Sequence, residues 1–394
     1  MKIAGIIAEY NPFHCGHRYQ IDELRAQGAS HVVAVMSPNI VQRGGLAVFS
    51  KWARAEAALR NGVDLVIELP AVWANTSAER FAFAAAFLLH SMGCVDQLCF
   101  GSECGDLALL QQAAAACMDS RVDRGIKEYL QRGLPYHAAR ERAINKEYGR
   151  EISEVLSRPN DILAVEYLKA LAKLSSKMAP MLIQRCGAAH DSQEINGSFA
   201  SASRLREMLE KGEISAIRCF VPPTAWEIYY REWQQMRAPA LIQRVEPAFL
   251  YQLRSMNPED FAQLPDVSEG LEYRLSEAAR IAGSMNDFLS TAKTKRYTHS
   301  RLRRIVMASL LGVTSQDLKR LPGYLRILGL NSRGAQIAHE IKCHGSLPLE
   351  SSFSRLETFG HMAQIESAAT DLFGQALPKV QPGKADYWQK IVKI

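Results

Sequence analysis

The sequence predicts an α/β fold: a doubly wound, Rossmann-like parallel sheet in the first half, followed by an all-helical C-terminal domain. Short β-rich runs alternate with helical patterns along the first half. From about Ile214 onward those runs vanish and apolar residues recur at helical spacing, as in "LSEAARIAGSMNDFLSTA" and "RLRRIVMASLLGV". Strands alternating with helices imply right-handed crossovers, and so a parallel sheet with helices on both faces. The change of character places a domain boundary near 215, dividing the chain into 1–215 and 216–394.

In chain order, Lys2 to Ala8 is an apolar run that ends in a polar turn and reads as a buried strand. The helix after it, around Gly16 to Gln27, is amphipathic and is ended by Gly28. His31 to Met36, Leu65 to Leu69 and Val95 to Phe100 are the next strands, separated by helices over Lys51 to Asn61 and Thr76 to His90. A long helical insertion, 107–177, precedes the fifth strand, Pro180 to Ile183; its alanine-rich "QQAAAAC" reads as a packed helix.

At 394 residues, 47% hydrophobic and 22% charged, the chain has enough apolar mass for real cores, so disorder is not expected. Its longest apolar run, Phe81 to Leu89, is nine residues, too short to span a bilayer, and the opening residues lack the apolar core and cleavage site of a signal peptide. Eight cysteines without a secretory signal suit reduced thiols, so a cytoplasmic protein away from the membrane is expected. The net charge of +6 is mild, and its distribution decides whether an anionic partner is implied.

In an open parallel sheet the ligand site lies beyond the carboxyl ends of the strands. The turn "AEYNPFHCGH" falls there: Asn11-Pro12 forces a turn, Gly16 lets backbone approach a ligand, and the N–H groups of the first helical turn attract phosphate. His14 and His17 add two imidazoles that can hold phosphate oxygens; a turn residue and a partly buried histidine are the plain alternative. A metal site is not expected, because His14 and Cys15 are neighbours that can hardly face one ion and no second cluster has zinc spacing. Cys94, Cys99 and Cys104 read as core packing.

Longer stretches in the same order carry a resemblance. "AEYNPFHCGH", "MSPNIVQRGGLAVFSKWARAEAALRNGVDLVIELP", "SAERFAFAA", "FGSE", "RPNDILAVEYLKAL" and "SFASASRLRE" together resemble the tRNA(Met) cytidine acetate ligases, within the nucleotidyltransferase superfamily marked by an H-x-G-H turn. Pro38 and Cys15 differ from the pattern, leaving the histidines and glycine in place. The resemblance implies a nucleotidyltransferase-type sheet and an enzyme that uses ATP to activate acetate as acetyl-adenylate. The acetyl group then passes to the wobble cytidine of elongator tRNA(Met), giving N4-acetylcytidine. Mg²⁺ is expected from phosphate chemistry in general.

By the same resemblance, His14 and His17 are catalytic, serving the triphosphate and its transition state. The ATP site also takes in Ile7, Ala8, Glu9, Tyr10, Asn11, Pro12, Phe13 and Gly16. Gly101, Asn160, Arg185, Ser201, Ser203 and Arg206 complete it; read from residues alone, these are equally a turn glycine, a helix cap, a surface arginine and N-cap serines with their helix. Gln42, Arg43 and Lys51 follow the second strand and are candidate acetate or RNA contacts. In the second half, "STAKTKRYTHSRLRR" holds Lys293, Lys295, Arg296, Arg301, Arg303 and Arg304 with no acid between them, and Tyr297 and His299 to stack on bases, so a tRNA surface is expected there. The alternatives are a nucleotidyltransferase of a small phosphorylated coenzyme precursor and a non-catalytic RNA-binding protein.

Overall fold

The protein is described from a computed structural model, over residues 1–185, 200–268, 270–294 and 296–394. The first-half strands form where the sequence places them: β1 (Ile3–Ala8), β2 (His31–Met36), β3 (Leu65–Glu68), β4 (Gln97–Ser102) and β5 (Ala179–Gln184). They pair in parallel in the order β3-β2-β1-β4-β5. The chain steps outward from β1 to β3 and then returns to the other side of β1. That reversal opens a crevice at the carboxyl ends of β1 and β4. Both faces of the sheet are covered. In β2, Val33 and Val35 enter one core while Val32, Ala34 and Met36 enter the other, which is why the strand reads as one apolar run.

The helices that matter for the site are α1 (Cys15–Ala26), α2 (Lys51–Arg60) and α3 (Ala78–Ser91). The insertion between β4 and β5 is helical, from α4 (Leu107–Cys117) through α5 (Ser120–Gln131), α6 (Tyr136–Tyr148) and α7 (Arg150–Val155) to α8 (Pro159–Lys173). Beyond β5 come α9 (Ala202–Glu210), α10 (Pro223–Gln234) and, after several shorter helices, α11 (His299–Leu311).

The expectation that everything after 216 is helical needs correction. β6 (Leu325–Leu330) lies antiparallel against β3 in the main sheet, and the short β7 (Leu349–Glu350) and β8 (Val392–Lys393) pair with β6. The physical reason is the edge of the sheet: every residue of β3 is buried, and without β6 the backbone donors and acceptors on the side away from β2 would be unpaired.

Lys51 also needs correction, since a residue expected to touch acetate or RNA is fully buried. Its ammonium lies 2.6 Å from Glu68 and 2.7 Å from Asp386, and Arg326 bridges the same two carboxylates at 2.7 and 2.6 Å. Glu366, 4.0 Å from Lys51, also accepts the Ala71 N–H at 2.7 Å. Burial, with the Glu68 charge beside it, pushes the Glu366 carboxyl well above the usual range.

Candidate active site

The turn after β1 is pinned from several directions. Tyr10 adopts a left-handed backbone (φ 48°) and packs its ring edge-on against Phe13 and His17, with both centroids 4.9 Å away. Asn11 Oδ1 accepts the Val48 N–H at 2.9 Å, and the Phe13 N–H donates to the Tyr229 hydroxyl at 2.8 Å. Beneath the turn lies Arg54, a fully buried guanidinium that donates to the carbonyls of Glu9 (2.6 Å), Ser37 (3.0 Å), Phe49 (3.0 Å) and Pro38. It joins the loops that follow β1 and β2.

The two histidines form the N-terminal cap of α1 between them. His14 Nδ1 accepts the Gly16 N–H at 3.0 Å, His17 Nδ1 accepts the His14 N–H at 3.2 Å, and the rings stack with centroids 3.8 Å apart. Since each Nδ1 is an acceptor, each neutral ring carries its proton on Nε2, and that N–H is the donor left for a ligand. Burial first, then the positive charges of Arg185 and Arg206, lower the His14 pKa to about 3; burial, then His14 and Arg185, hold His17 well below its usual value. Gly16 has a further reason to be glycine: a Cβ there would sit 2.8 Å from His14 Cε1, so a side chain would push the imidazole aside.

A cleft of about 780 Å³ opens above this turn. Its wall includes Ile7 to Asn11, His14, His17, Gln42, Arg43, Gly101, Asn160, Arg185, Ser201, Ser203 and Arg206, so most of the expected ATP-site residues come together there. Pro12 and Phe13 belong to the turn but do not line the cleft, and Phe13 is fully buried. Arg206 donates to the Asn11 carbonyl at 2.9 Å and to Ser203 Oγ at 3.0 Å, tying α9 to the β1 turn. Ser201 caps α9, with its hydroxyl accepting the Arg204 N–H at 3.2 Å.

On the other side, Arg185 N–H donates to the Ser102 carbonyl at 3.0 Å, and a Cβ on Gly101 would press on Arg185 Cγ at 3.3 Å. Asn160 donates to Glu103 Oε1 at 2.7 Å. Asp161, in the first turn of α8 and not among the expected site residues, is fully buried and holds the loop after β4: it accepts from the Ser102 hydroxyl (2.6 Å) and from the N–H groups of Glu103 (2.8 Å) and Cys104 (3.3 Å). Arg54 was likewise missed. A single arginine in "KWARAEAALR" gives no sign of whether it faces solvent or carbonyls.

The basic segment divides. Tyr297, expected to stack on bases, is buried with the Arg301 guanidinium 5.0 Å from its ring centroid, and Arg301 also donates to the Asp266 carbonyl at 2.8 Å. Arg304 pairs with the Asp266 carboxylate at 3.1 Å. These two arginines brace the fold. Lys293, Arg296 and Arg303 are exposed, and Lys295 lies outside the described residues. Arg303 and Ser300 line the mouth of the cleft, because Gly44 (φ 74°) lies against the start of α11 so closely that a Cβ would be 2.5 Å from Arg303 backbone. Among the described residues no three His, Cys, Asp or Glu side chains converge as a metal site would require. None of its described helices is long and apolar enough to cross a membrane.

Residues 1–387 match the family described as HIGH Nucleotidyl Transferase. Proteins named tRNA(Met) cytidine acetate ligase from Caldanaerobacter subterraneus subsp. tengcongensis and Acetivibrio thermocellus are each 39% identical to the chain, covering 100% of both chains in the first case and 95% and 94% in the second. The chain belongs to this ligase family of HIGH nucleotidyl transferases. Crystal structures of Thermotoga maritima TmcAL superimpose with TM-scores of 0.95 (apo, 32% identity) and 0.93 (bound with alpha-thio ATP, 31% identity), each over 100% of both chains. Membership makes the chain an ATP-dependent ligase. The two alternative readings, a small-molecule nucleotidyltransferase and a non-catalytic RNA binder, do not fit ligase relatives matched end to end.

Proposed function

We propose that the enzyme activates acetate with ATP as acetyl-adenylate and passes the acetyl group to N4 of the wobble cytidine of elongator tRNA(Met), acting in the cytoplasm with residues 1–215 carrying the chemistry and 216–394 the RNA. The observation that carries this reading is the pair of capping histidines, each with Nε2–H left to donate, facing one cleft with Arg185 and Arg206.

Acetate is ionised at neutral pH, so its attack on the α-phosphorus requires no base. The new O–P bond forms as the bond to pyrophosphate breaks, and negative charge shifts onto the leaving phosphates. Fixed donors placed where that charge develops stabilise the transition state without reorganising. Neutral imidazole N–H groups, two guanidiniums and the N-terminus of α1 suit this task. Arg303 and Ser300, which line the cleft, support the reading that RNA approaches along α11.

Pyrophosphate exchange into ATP tests the first step: it should depend on acetate and proceed without tRNA. Nucleoside mass spectrometry of the tRNA product tests the second, and N4-acetylcytidine should appear only with ATP and acetate present. Transfer from acetyl-coenzyme A in place of those two would overturn the proposal.

A further inference from the structure

Forming an amide at the cytidine N4 amine releases a proton, and few groups in the cleft can take it. Both histidines use Nδ1 as an acceptor of backbone N–H and carry their proton on Nε2, so neither has a free basic nitrogen. Arginines are protonated throughout the working range. The Tyr167 hydroxyl is driven by burial away from easy ionisation. Among the described residues two carboxylates line the cleft, Glu9 and Glu210. Glu210 is the exposed last residue of α9, whereas Glu9 is half-buried, one residue beyond the end of β1.

The Glu9 carboxylate is held by a backbone partner. Its Oε1 accepts the Gln42 N–H at 2.8 Å, so the carboxylate faces the hairpin of residues 40–46. The tip of that hairpin, Gly44, lies against Arg303 of α11. Histidines and arginines of the same cleft wall suit a triphosphate, which a carboxylate would repel. A carboxylate is also the side chain that accepts from the cytosine N4 amino group.

We propose that the Glu9 carboxylate accepts the N4 proton during acetyl transfer. The inference rests on the reading given under Proposed function. As the N4–C bond to the acetyl carbon forms, the C–O bond to AMP breaks, AMP leaves with the electron pair of that bond, and the N4 proton passes to Glu9 and from there to water. The charged and titratable groups around Glu9 are Arg54 bound to its carbonyl, Arg43 on the hairpin, Tyr167 on α8, Arg303 on α11 and the two histidines of α1.

Single-turnover transfer from synthetic acetyl-adenylate to tRNA(Met) tests this without the adenylation step. Glu9→Gln keeps an oxygen for the Gln42 N–H, and a melting curve verifies the fold. The wild-type rate should rise with pH along an acidic limb; the variant should be slower by at least ~10²-fold and lack that limb. A variant rate within twofold of wild type, or a slow variant that keeps the limb, overturns the role of Glu9 while leaving the ligase reading intact. A wild-type enzyme that makes no acetylcytidine from ATP and acetate overturns both.

Discussion

The histidine pair turns a capping motif into a pair of neutral hydrogen-bond donors. His14→Ala or His17→Ala should leave the protein folded and slow acetyl-adenylate formation by at least ~10²-fold, about 2.7 kcal/mol of transition-state stabilisation, as read by pyrophosphate exchange. Neutrality has a cost in acid. An unfolded histidine titrates near its ordinary value of 6.5 and the buried His14 at about 3, so below that upper value the unfolded chain binds the proton more readily. Stability associated with His14 is therefore full above about pH 6.5 and declines as pH falls toward 3. His14→Asn, whose side chain can still cap α1, should lose less melting temperature than wild type between pH 7.5 and 5 (a span of roughly the usual histidine titration), and equal losses would show that the imidazole is not the group titrating. Gly16→Ala should cut activity although alanine favours a helix by about 1 kcal/mol over glycine, because the added methyl meets His14. The H-x-G-H letters made both histidines legible in the sequence. Their tautomer was not, since it depends on which backbone N–H each ring accepts.

Among the elements, the inner strands of the doubly wound half were legible because they are buried on both faces and so read as unbroken apolar runs; His31–Met36, buried throughout, forms with the expected bounds. α2 shows where such reading stops. Lys51 reads as a candidate acetate or RNA contact, yet it and Arg54 point inward, because their partners are Asp386 and Glu68 for one and loop carbonyls for the other. Nothing local in "KWARAEAALR" encodes a carboxylate more than three hundred residues away. β6 was missed for a related reason: "LRILGL" is short, lies among helices and becomes a strand by pairing with β3. Lys51→Met should destabilise the fold by about 3–5 kcal/mol in denaturant titration, because Glu68 and Asp386 would then share a single cation. An unchanged midpoint would mean that the remaining groups neutralise each other without it.

Across the whole molecule, the histidine cleft and the basic end of α11 share one rim. Replacing Lys293 and Arg296 with alanine should weaken tRNA binding and flatten its dependence on salt, since fewer counterions are released; filter binding over a salt series measures both, and an unchanged slope would move the RNA surface elsewhere. Arg303→Ala should act on transfer as well as on binding, because this residue lines the cleft mouth. The sheet itself has a consequence for how the protein is made. β6 closes the β3 edge, yet its residues 325–330 follow β3 in sequence by more than two hundred and fifty. During translation β3 therefore leaves the ribosome long before its partner strand exists. For that interval the nascent chain carries an unpaired apolar strand edge, a target for chaperones and for other nascent chains, and a message cut short before codon 325 would yield a product that clumps instead of a smaller working enzyme.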